Sequence, residues 1–340
     1  MDPASHVAFG RTLVELTHAA RARRRGIAGA AMLGALSPDI DALVMPFGWD
    51  RYLAVHEIGT HSATGTFLCA AATAALLRTI RVVDRDCPLG TVVAAAWIGA
   101  ISHVLLDMLS SARLRPAWPL ADPIVSLPAF AMADPWGIAL FAAAAVAIRL
   151  AQPARKRRAA VMALAALAAF VAVKGARGAA AVRTYADAAA LHEPVRARVV
   201  EAEWASLDTW LISDSTELAV RRWRAGRGAA DLVLSRTLGP ETANVAASRS
   251  LSTVRNFRRA HELAFHTSTM TPDGLERVLW SDIRFCWQPT AGDAGVVADG
   301  IACGLWFGGD SAAAGRPVRE LVKVGTWTQT RAPSPARTAP

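Results

Sequence analysis

The chain has 340 residues, enough for about two domains, and 53% of them are hydrophobic. A net charge of +9 would suit nucleic-acid binding, but the arginines gather at the ends of apolar segments, as in the basic loops of membrane proteins. We therefore expect membrane lipids, and no nucleic acid, as partners. The four cysteines form no CxxC pair, which excludes a thiolate zinc site of the usual spacing. Cys286 and Cys303 can pair only outside the cytoplasm.

The first segment predicts a helix over Ala4 to Ala20. Asp2 is placed to act as its N-cap, and Pro3 occupies the first helical position, where proline is favoured. His6 falls in the first turn, so a carboxylate and an imidazole come close together at the start of the helix.

The apolar segment from Ile27 to Phe47 is interrupted by Ser37-Pro38-Asp39-Ile40-Asp41. Two interpretations fit this interruption. Ser37 can cap a helix that has both acids in its first turn, where the helix dipole favours them. Alternatively, Asp39 and Asp41 line a polar cavity, because ionisable groups at membrane depth need partners.

Two further histidine motifs follow. The run His56-Glu57-Ile58-Gly59-Thr60-His61-Ser62 predicts a loop or helix start that can turn both imidazoles inward, since a regular helix would place them on different faces. Gly90 to Leu109 has the length of a membrane span, about 20 residues. It nevertheless contains His103 and Asp107, whose i, i+4 spacing puts both on one helical face. Such groups are costly in a span unless paired or coordinated, which favours a functional role.

Two more apolar helices are predicted, Trp136 to Ile148 with Asp134 as its N-cap, and Ala159 to Val173. The basic runs between the apolar segments are Arg21 to Arg25, Arg78 to Arg85 and Arg149 to Arg158. If these runs are cytoplasmic, all of the His/Asp motifs gather at the periplasmic side. This pattern predicts a multi-pass inner-membrane protein, with the number of crossings left open because several apolar runs are short.

After residue 176 the chain becomes more polar, and short runs rich in Val and Trp predict strands. The predicted strands are Val195 to Trp204, Glu217 to Trp223, Val278 to Trp287, Ile301 to Phe307 and Leu321 to Trp327, with a helix-like stretch from Glu241 to Phe265. His261 and His266 are expected at the surface. The predicted fold is therefore mostly α: a membrane-embedded helical domain (1–176) with a His/Asp site, a small soluble α+β domain (177–330) and a disordered tail (331–340).

Five motifs follow one another in the first 150 residues: Asp2-Pro3 with His6, Pro38-Asp39-Ile40-Asp41, His56 with Gly59-Thr60-His61-Ser62, Ser102-His103 with Asp107, and Asp134-Pro135-Trp136. In order and spacing they resemble a family of bacterial inner-membrane proteins, the predicted metal-dependent hydrolases whose founding members are under LexA control. A run like Leu279 to Phe285 also occurs in longer members. The chain departs from the family at Glu57, where an arginine is usual, and at Ser110-Ser111-Ala112-Arg113, which replaces a Ser/Thr-Tyr-Gly run.

The resemblance implies a helical hydrolase similar to zinc phospholipase C and P1-type nucleases, in which His and Asp ligands from several helices hold the metal. It favours zinc, although His and carboxylate ligands also suit Mn²⁺ or Fe²⁺. The expected substrate is a phosphoester or a lipid, attacked by water that the metal activates. The expected ligands are His56, His61, His103 and Asp107, with Asp39 and Asp41 as further or bridging ligands, and Asp2 and His6 at a second ion or behind the first ligands.

Two alternatives stay open from the residues alone. A transporter or proton relay could use the same intramembrane His and Asp side chains to carry ions. A membrane anchor that displays the C-terminal domain would need the histidines only for packing.

Overall fold

The structure is a computed structural model that describes residues 1–17, 25–190, 193–270, 275–284, 302–310, 317–324 and 327–331. Contacts divide the chain into two compact units. The first unit contains Met1–Leu43, Val55–Ala181 and Val200–Trp210, and the second contains Val44–Ala54, Val182–Val199 and Leu211–Pro340. The side chains of Cys286 and Cys303, whose pairing the sequence left open, lie outside the described part of the structure, as do the tail after residue 331 and the basic residues 21–24.

The N-terminal part of the chain is helical. Its elements are α1 (Pro3–Val14), α2 (Ile27–Gly34), a 3₁₀ segment (Ser37–Phe47), α3 (Trp49–Val55), α4 (Ala63–Thr79), α5 (Leu89–Leu109), α6 (Pro135–Leu150), a second 3₁₀ turn (Pro153–Arg155) and α7 (Lys156–Ala189). By length and composition, α5 and the run Pro153–Ala189 can each cross a membrane, and α2 with the 3₁₀ segment, bent by 43°, can make a third span. The predicted helical membrane part is thereby confirmed.

Helix α5 is central in the first unit, where it packs against α1, α2 and α4. Glycines bring α2 and α5 into backbone contact. A Cβ atom on Gly34 would lie 2.1 Å from the Ala96 carbonyl oxygen, and one on Gly99 would lie 2.0 Å from that of Ala31. Small residues of this kind let membrane helices approach closely, so the spacing of α2 and α5 is set by backbone and not by side chains.

The basic connections lie away from the start of α1. The Arg25 amide donates to Asp84 Oδ2 at 3.0 Å, which joins the segment before α2 to the loop between α4 and α5. At the other end of the unit, a Cβ on Gly137 near the start of α6 would lie 2.6 Å from Met1 Cε. Arg149, in the last turn of α6, is about 18 Å further along the helix axis at 1.5 Å per residue. The basic loops and the N-terminus of α1 therefore occupy opposite ends.

The C-terminal part of the chain contains two sheets, and both have their strands in chain order. The first has β1 (Ala197–Ala202), β2 (Thr209–Ser215), β3 (Ala219–Gly226) and β4 (Ala229–Thr237), and the second has β5 (Ala264–Met270), β6 (Leu275–Asp282), β7 (Ala302–Asp310), β8 (Pro317–Val324) and β9 (Trp327–Arg331). Helices α8 (Ala243–Ser248) and α9 (Ser252–Ala260) come between them in the chain. This arrangement confirms the predicted α+β C-terminal region.

Several predicted boundaries are wrong. Helix α1 ends at Val14, not at Ala20, while α7 continues to Ala189, well past Val173, because alanine and arginine sustain a helix after the apolar run ends. It passes through residue 176, and the domain division expected there stays a prediction. The single helix expected from Glu241 to Phe265 is two short helices followed by β5, with extended backbone at Leu251 separating the helices. Strands β2, β4 and β5 were not predicted, and the single strand expected from Leu321 to Trp327 covers the end of β8 and the start of β9.

The expected exposure of His261 and His266 is also wrong, since both side chains are buried. His261 Nδ1 lies 3.3 Å from Asp282 Oδ2, and Arg284 binds the same carboxylate oxygen at 2.8 Å. Burial alone would raise the pKa of Asp282, but the Arg284 guanidinium and His261 hold it well below its usual range. These three residues form a buried ionic cluster of the second unit, and Asp282 is the last residue of β6.

Candidate metal centre

Two histidines and two aspartates meet at one end of the first unit. The 3₁₀ segment supplies Asp39, the loop between α3 and α4 supplies His61, and the last turns of α5 supply His103 and Asp107. The two Nε2 atoms of the histidines are 3.2 Å apart. Asp39 Oδ1 lies 3.5 Å from His61 Nε2 and 3.4 Å from His103 Nε2, and Asp107 Oδ2 lies 3.7 Å and 3.0 Å from the same atoms.

Local sequence explains how these side chains reach one point. The i, i+4 spacing of His103 and Asp107 places both on the buried face of α5. Ser62 caps α4 by accepting from the Gly65 amide at 3.0 Å, so the chain turns sharply straight after His61. A Cβ on Gly65 would lie 1.9 Å from the Gly59 carbonyl oxygen, so the start of α4 packs directly on the loop that carries His61.

The tautomer of His103 is set by helix α2. Its Nδ1 lies 2.8 Å from the Ala35 carbonyl oxygen, which can only accept a hydrogen bond. The ring proton of neutral His103 is therefore on Nδ1. Its Nε2 atom presents a lone pair to His61 and the two carboxylates.

The tautomer of His61 is set by Thr60 and Asp41. The Thr60 hydroxyl donates to Asp41 Oδ2 at 3.1 Å, because a carboxylate can only accept. The same hydroxyl oxygen lies 3.0 Å from His61 Nδ1 and must accept from it. His61 thus also has its proton on Nδ1 and presents the Nε2 lone pair to the centre.

Two imidazole lone pairs and two carboxylate oxygens consequently converge. Such a set requires positive charge among its members, which a protonated imidazole or a bound cation supplies. Ligand atoms at 2.0–2.1 Å from a tetrahedral zinc ion are about 3.3–3.4 Å from one another. The five separations here run from 3.0 to 3.7 Å, and His61, His103 and Asp39 form a group that could hold a metal ion. The donor set therefore fits a divalent cation.

His6 lies directly behind this group. Its ring stacks on that of His103 with centroids 3.9 Å apart. Its Nε2 is 3.2 Å from both Asp107 Oδ1 and the Met1 carbonyl oxygen, two acceptors, so Nε2 carries the proton. His6 thereby fixes the outer oxygen of Asp107 while Oδ2 faces the centre. A group of His6, His103 and Asp107 could also hold a metal.

Asp41 and His56 lie on the outer side of His61. His56 Nδ1 is 3.1 Å from Asp41 Oδ2, and His56 Nε2 is 3.7 Å from Glu57 Oε1. Burial opposes protonation of His56, but the hydrogen bond with Asp41 and the charge of Glu57 raise its pKa above the ordinary value. Among the described residues, Asp41 Oδ1 is buried without a hydrogen-bond partner. The structure thus places Asp41 and His56 beside the four candidate ligand atoms and not among them.

Asp2 is a helix cap. Its Oδ1 accepts from the Ser5 amide at 2.9 Å, and its Oδ2 accepts from the Ser5 hydroxyl at 2.7 Å. The structure does not bring Asp2 into the donor group. Asp134 caps α6 in the same way, accepting from the Trp136 and Gly137 amides, as predicted.

The sequence analysis missed the role of Thr60 and of the Ala35 carbonyl. Thr60 gives a weak signal, a hydroxyl adjacent to a histidine and downstream of an Asp pair. The Ala35 carbonyl gives none, because it reaches His103 only through the packing of α2 on α5.

A helical unit with apolar spans and a buried His/Asp cluster at one end defines an integral membrane protein with a candidate cation site. The chain belongs to the YdjM inner membrane protein family, whose model matches residues 1–181. It is thus an inner-membrane protein, and the matched residues include every member of the cluster. No curated protein and no solved structure matches the chain.

Proposed function

We propose that this protein is a multi-pass membrane-bound hydrolase that depends on a divalent metal, held by His61, His103, Asp39 and Asp107. The observation that carries the proposal is the pair of Nε2 atoms 3.2 Å apart, both deprotonated in the neutral rings, with a carboxylate oxygen close to each. Zinc is the first candidate, since imidazole nitrogens and carboxylate oxygens 3.0 to 3.7 Å from one another suit it. Manganese and iron(II) are the competing ions for the same donors.

Some residues would hold the metal, and others orient the side chains that hold it. His61 and His103 offer lone pairs whose direction is fixed by Thr60 and by the Ala35 carbonyl. Asp107 is held from behind by His6. Hydrogen bonds of this kind to the far side of ligands orient them and strengthen binding.

Substrate access is on the side of Asp39. Its side chain is 42% exposed, whereas both histidines are fully buried and Asp107 is nearly so. When bound, the metal would lower the pKa of a water molecule to about 7 and polarise an ester or phosphoryl oxygen. Asp39 is the exposed member of the group, and the carboxylate oxygen that does not hold the metal could accept the proton of that water. Phosphoesters and lipid esters are the substrate classes that this chemistry serves.

A transporter using the same residues is less well supported. An ion path needs polar groups at several depths, yet α5 has no ionisable side chain between Leu89 and Ser102. The ionisable residues of α5 are confined to its last two turns. Groups collected at one depth suit a reaction centre better than a pathway.

The experiment is metal analysis of detergent-purified protein by inductively coupled plasma mass spectrometry. Wild type is compared with His61→Ala and His103→Ala, and His266→Ala in the second unit serves as the matched loss of a buried histidine. We expect at least one tightly bound ion in wild type and in His266→Ala, and its loss in the two site variants. Size-exclusion profiles establish that all four proteins are folded.

A second step assays hydrolysis of a chromogenic phosphodiester and of a labelled phospholipid, with and without chelator. Chelator-sensitive turnover that is absent from His103→Ala supports the proposal. Folded wild-type protein that contains no metal and regains none on dialysis against Zn²⁺, Mn²⁺ or Fe²⁺ would overturn it.

A further inference from the structure

We propose that the loop between α5 and α6, residues 110–134, lies in the headgroup layer of the membrane and brings the entrance of the His/Asp centre to that depth. For brevity it is named the α5–α6 loop. The proposal concerns a lipid-facing surface and goes beyond the chemistry of the centre.

The first observation is the apolar character of the exposed side chains. Leu120 is 92% exposed, and other large apolar side chains of the same loop and of the segments next to it are exposed as well. These are Trp118, Leu127 and Met132 in the loop, with Trp136 and Trp204 beside it. Arg115 of the loop is paired with Asp122, and Asp134 is buried as the cap of α6. Clustered exposed apolar side chains mark a contact surface.

The second observation is that two exposed tryptophans donate their indole N–H groups to backbone carbonyls. Trp136 Nε1 donates to the Ala205 carbonyl at 2.9 Å, and Trp204 Nε1 donates to the Ala133 carbonyl at 2.9 Å. Their N–H groups are therefore satisfied by the protein while their rings stay exposed. Amphipathic aromatic rings of this kind are enriched at membrane–water interfaces.

The third observation is that part of the loop backbone is hydrogen-bonded within the protein. Leu114 and Val125 exchange two hydrogen bonds of 3.1 and 2.9 Å, and the Leu127 amide donates to the Met108 carbonyl at 2.7 Å. Four loop residues are prolines and have no amide hydrogen: Pro116, Pro119, Pro123 and Pro128. The internal hydrogen bonds and the prolines together reduce the number of backbone donors that water must satisfy.

The α5–α6 loop also lies between helix α5 and the segment that carries His61. It continues directly from α5, which is long and apolar enough to cross a membrane and has half of its most apolar stretch buried within the protein. On its other side, the Pro116 carbonyl accepts from the Ala63 amide at 2.9 Å, and a Cβ on Gly59 would lie 3.8 Å from Trp118 Cζ3. Both contacts are to the segment that carries His61. If the proposed function holds, an amphiphile could then reach Asp39 without leaving the bilayer.

The experiment measures the depth of spin labels in protein reconstituted into phosphatidylcholine vesicles. Single cysteines replace Leu120, Leu127 and Met132 in a chain whose four cysteines are changed to alanine. Val173→Cys on α7 is the lipid reference, and Glu217→Cys, from an exposed ion pair of the C-terminal sheet, is the water reference. The readout is the collision rate with oxygen divided by that with a water-soluble nickel chelate.

We expect all three loop positions to give ratios at least severalfold above Glu217→Cys and towards that of Val173→Cys. Ratios equal to the water reference would overturn the proposal. Dipolar broadening between labels at these positions, relieved by dilution with unlabelled protein, would also overturn it, because a second copy of the chain would then cover the surface. The measurement needs neither metal nor turnover, so its outcome is independent of whether the protein is a hydrolase.

Discussion

Replacement of Thr60 by valine tests the hydrogen-bond chain that orients His61. Valine keeps the shape of threonine but removes the hydroxyl that accepts from His61 Nδ1 at 3.0 Å and donates to Asp41 Oδ2 at 3.1 Å. His61 then loses the interaction that keeps its proton on Nδ1. The other tautomer, with the proton on Nε2, cannot act as a ligand through that atom.

The expected size of the effect follows from the position of Thr60 behind a ligand. Loss of such a partner typically costs 10–100-fold in metal affinity, which is about 1.4–2.7 kcal/mol. Because His103 and both aspartates are unchanged, binding should weaken and not vanish. Global stability should change little, since Thr60 is only half-buried.

The assay is competition for Zn²⁺ between the detergent-purified protein and a chelating indicator of known affinity. Thr73→Val is the matched control, because its hydroxyl donates to the Cys69 carbonyl within α4 and has no contact with the site. We expect wild-type affinity for Thr73→Val and the 10–100-fold loss for Thr60→Val. Equal affinities in the two variants would refute the assignment of the His61 tautomer.

Two further predictions concern stability. Gly99→Ala should lower the melting temperature, and lower the free energy of unfolding by about 1–3 kcal/mol, because its Cβ would lie 2.0 Å from the Ala31 carbonyl oxygen. Gly90→Ala on the same helix, where a Cβ would meet open space, should be neutral or slightly stabilising. Equal melting curves for the two variants would contradict the close contact of α2 and α5. Asp282→Asn should cost about 3–5 kcal/mol at pH 7, since it leaves Arg284 without its carboxylate. The pKa of Asp282 is lower in the folded protein than in the unfolded chain, so its contribution to stability is present above about pH 4 and is lost as the pH falls further. Acid should therefore reduce the difference in melting temperature between wild type and Asp282→Asn, measured by circular dichroism. A constant gap from pH 7 to pH 2 would show that the ion pair does not act in this way.

The features that the sequence predicted well depend on local rules. The Asp-Pro pairs at Asp2 and Asp134 cap α1 and α6 because an N-cap acts within three residues. The span Leu89–Leu109 and the common face of His103 and Asp107 follow from length and helical periodicity. The gathering of the motifs at one end followed from the alternation of basic loops.

The features that the sequence did not predict depend on packing between segments far apart in the chain. His56 and His61 have similar surroundings in the sequence, yet only His61 turns into the donor group, because the start of α4 packs on Gly59. The burial of His261 depends on Asp282, about twenty residues downstream on another element. No periodicity within either segment contains this information.

The glycine contact between α2 and α5 has a consequence for the order in which the protein matures. Gly34, where a Cβ would lie 2.1 Å from the Ala96 carbonyl oxygen, is followed at once by Ala35, whose carbonyl fixes the ring of His103. The centre can therefore exist only after the two helices have come together, so an ion that binds it acts as a clamp on the assembled helices. Ligand that binds only the folded state stabilises it by about 1.4 kcal/mol for each tenfold excess over the dissociation constant. If the proposed metal binds there, its supply would also set how long the newly inserted chain survives quality control.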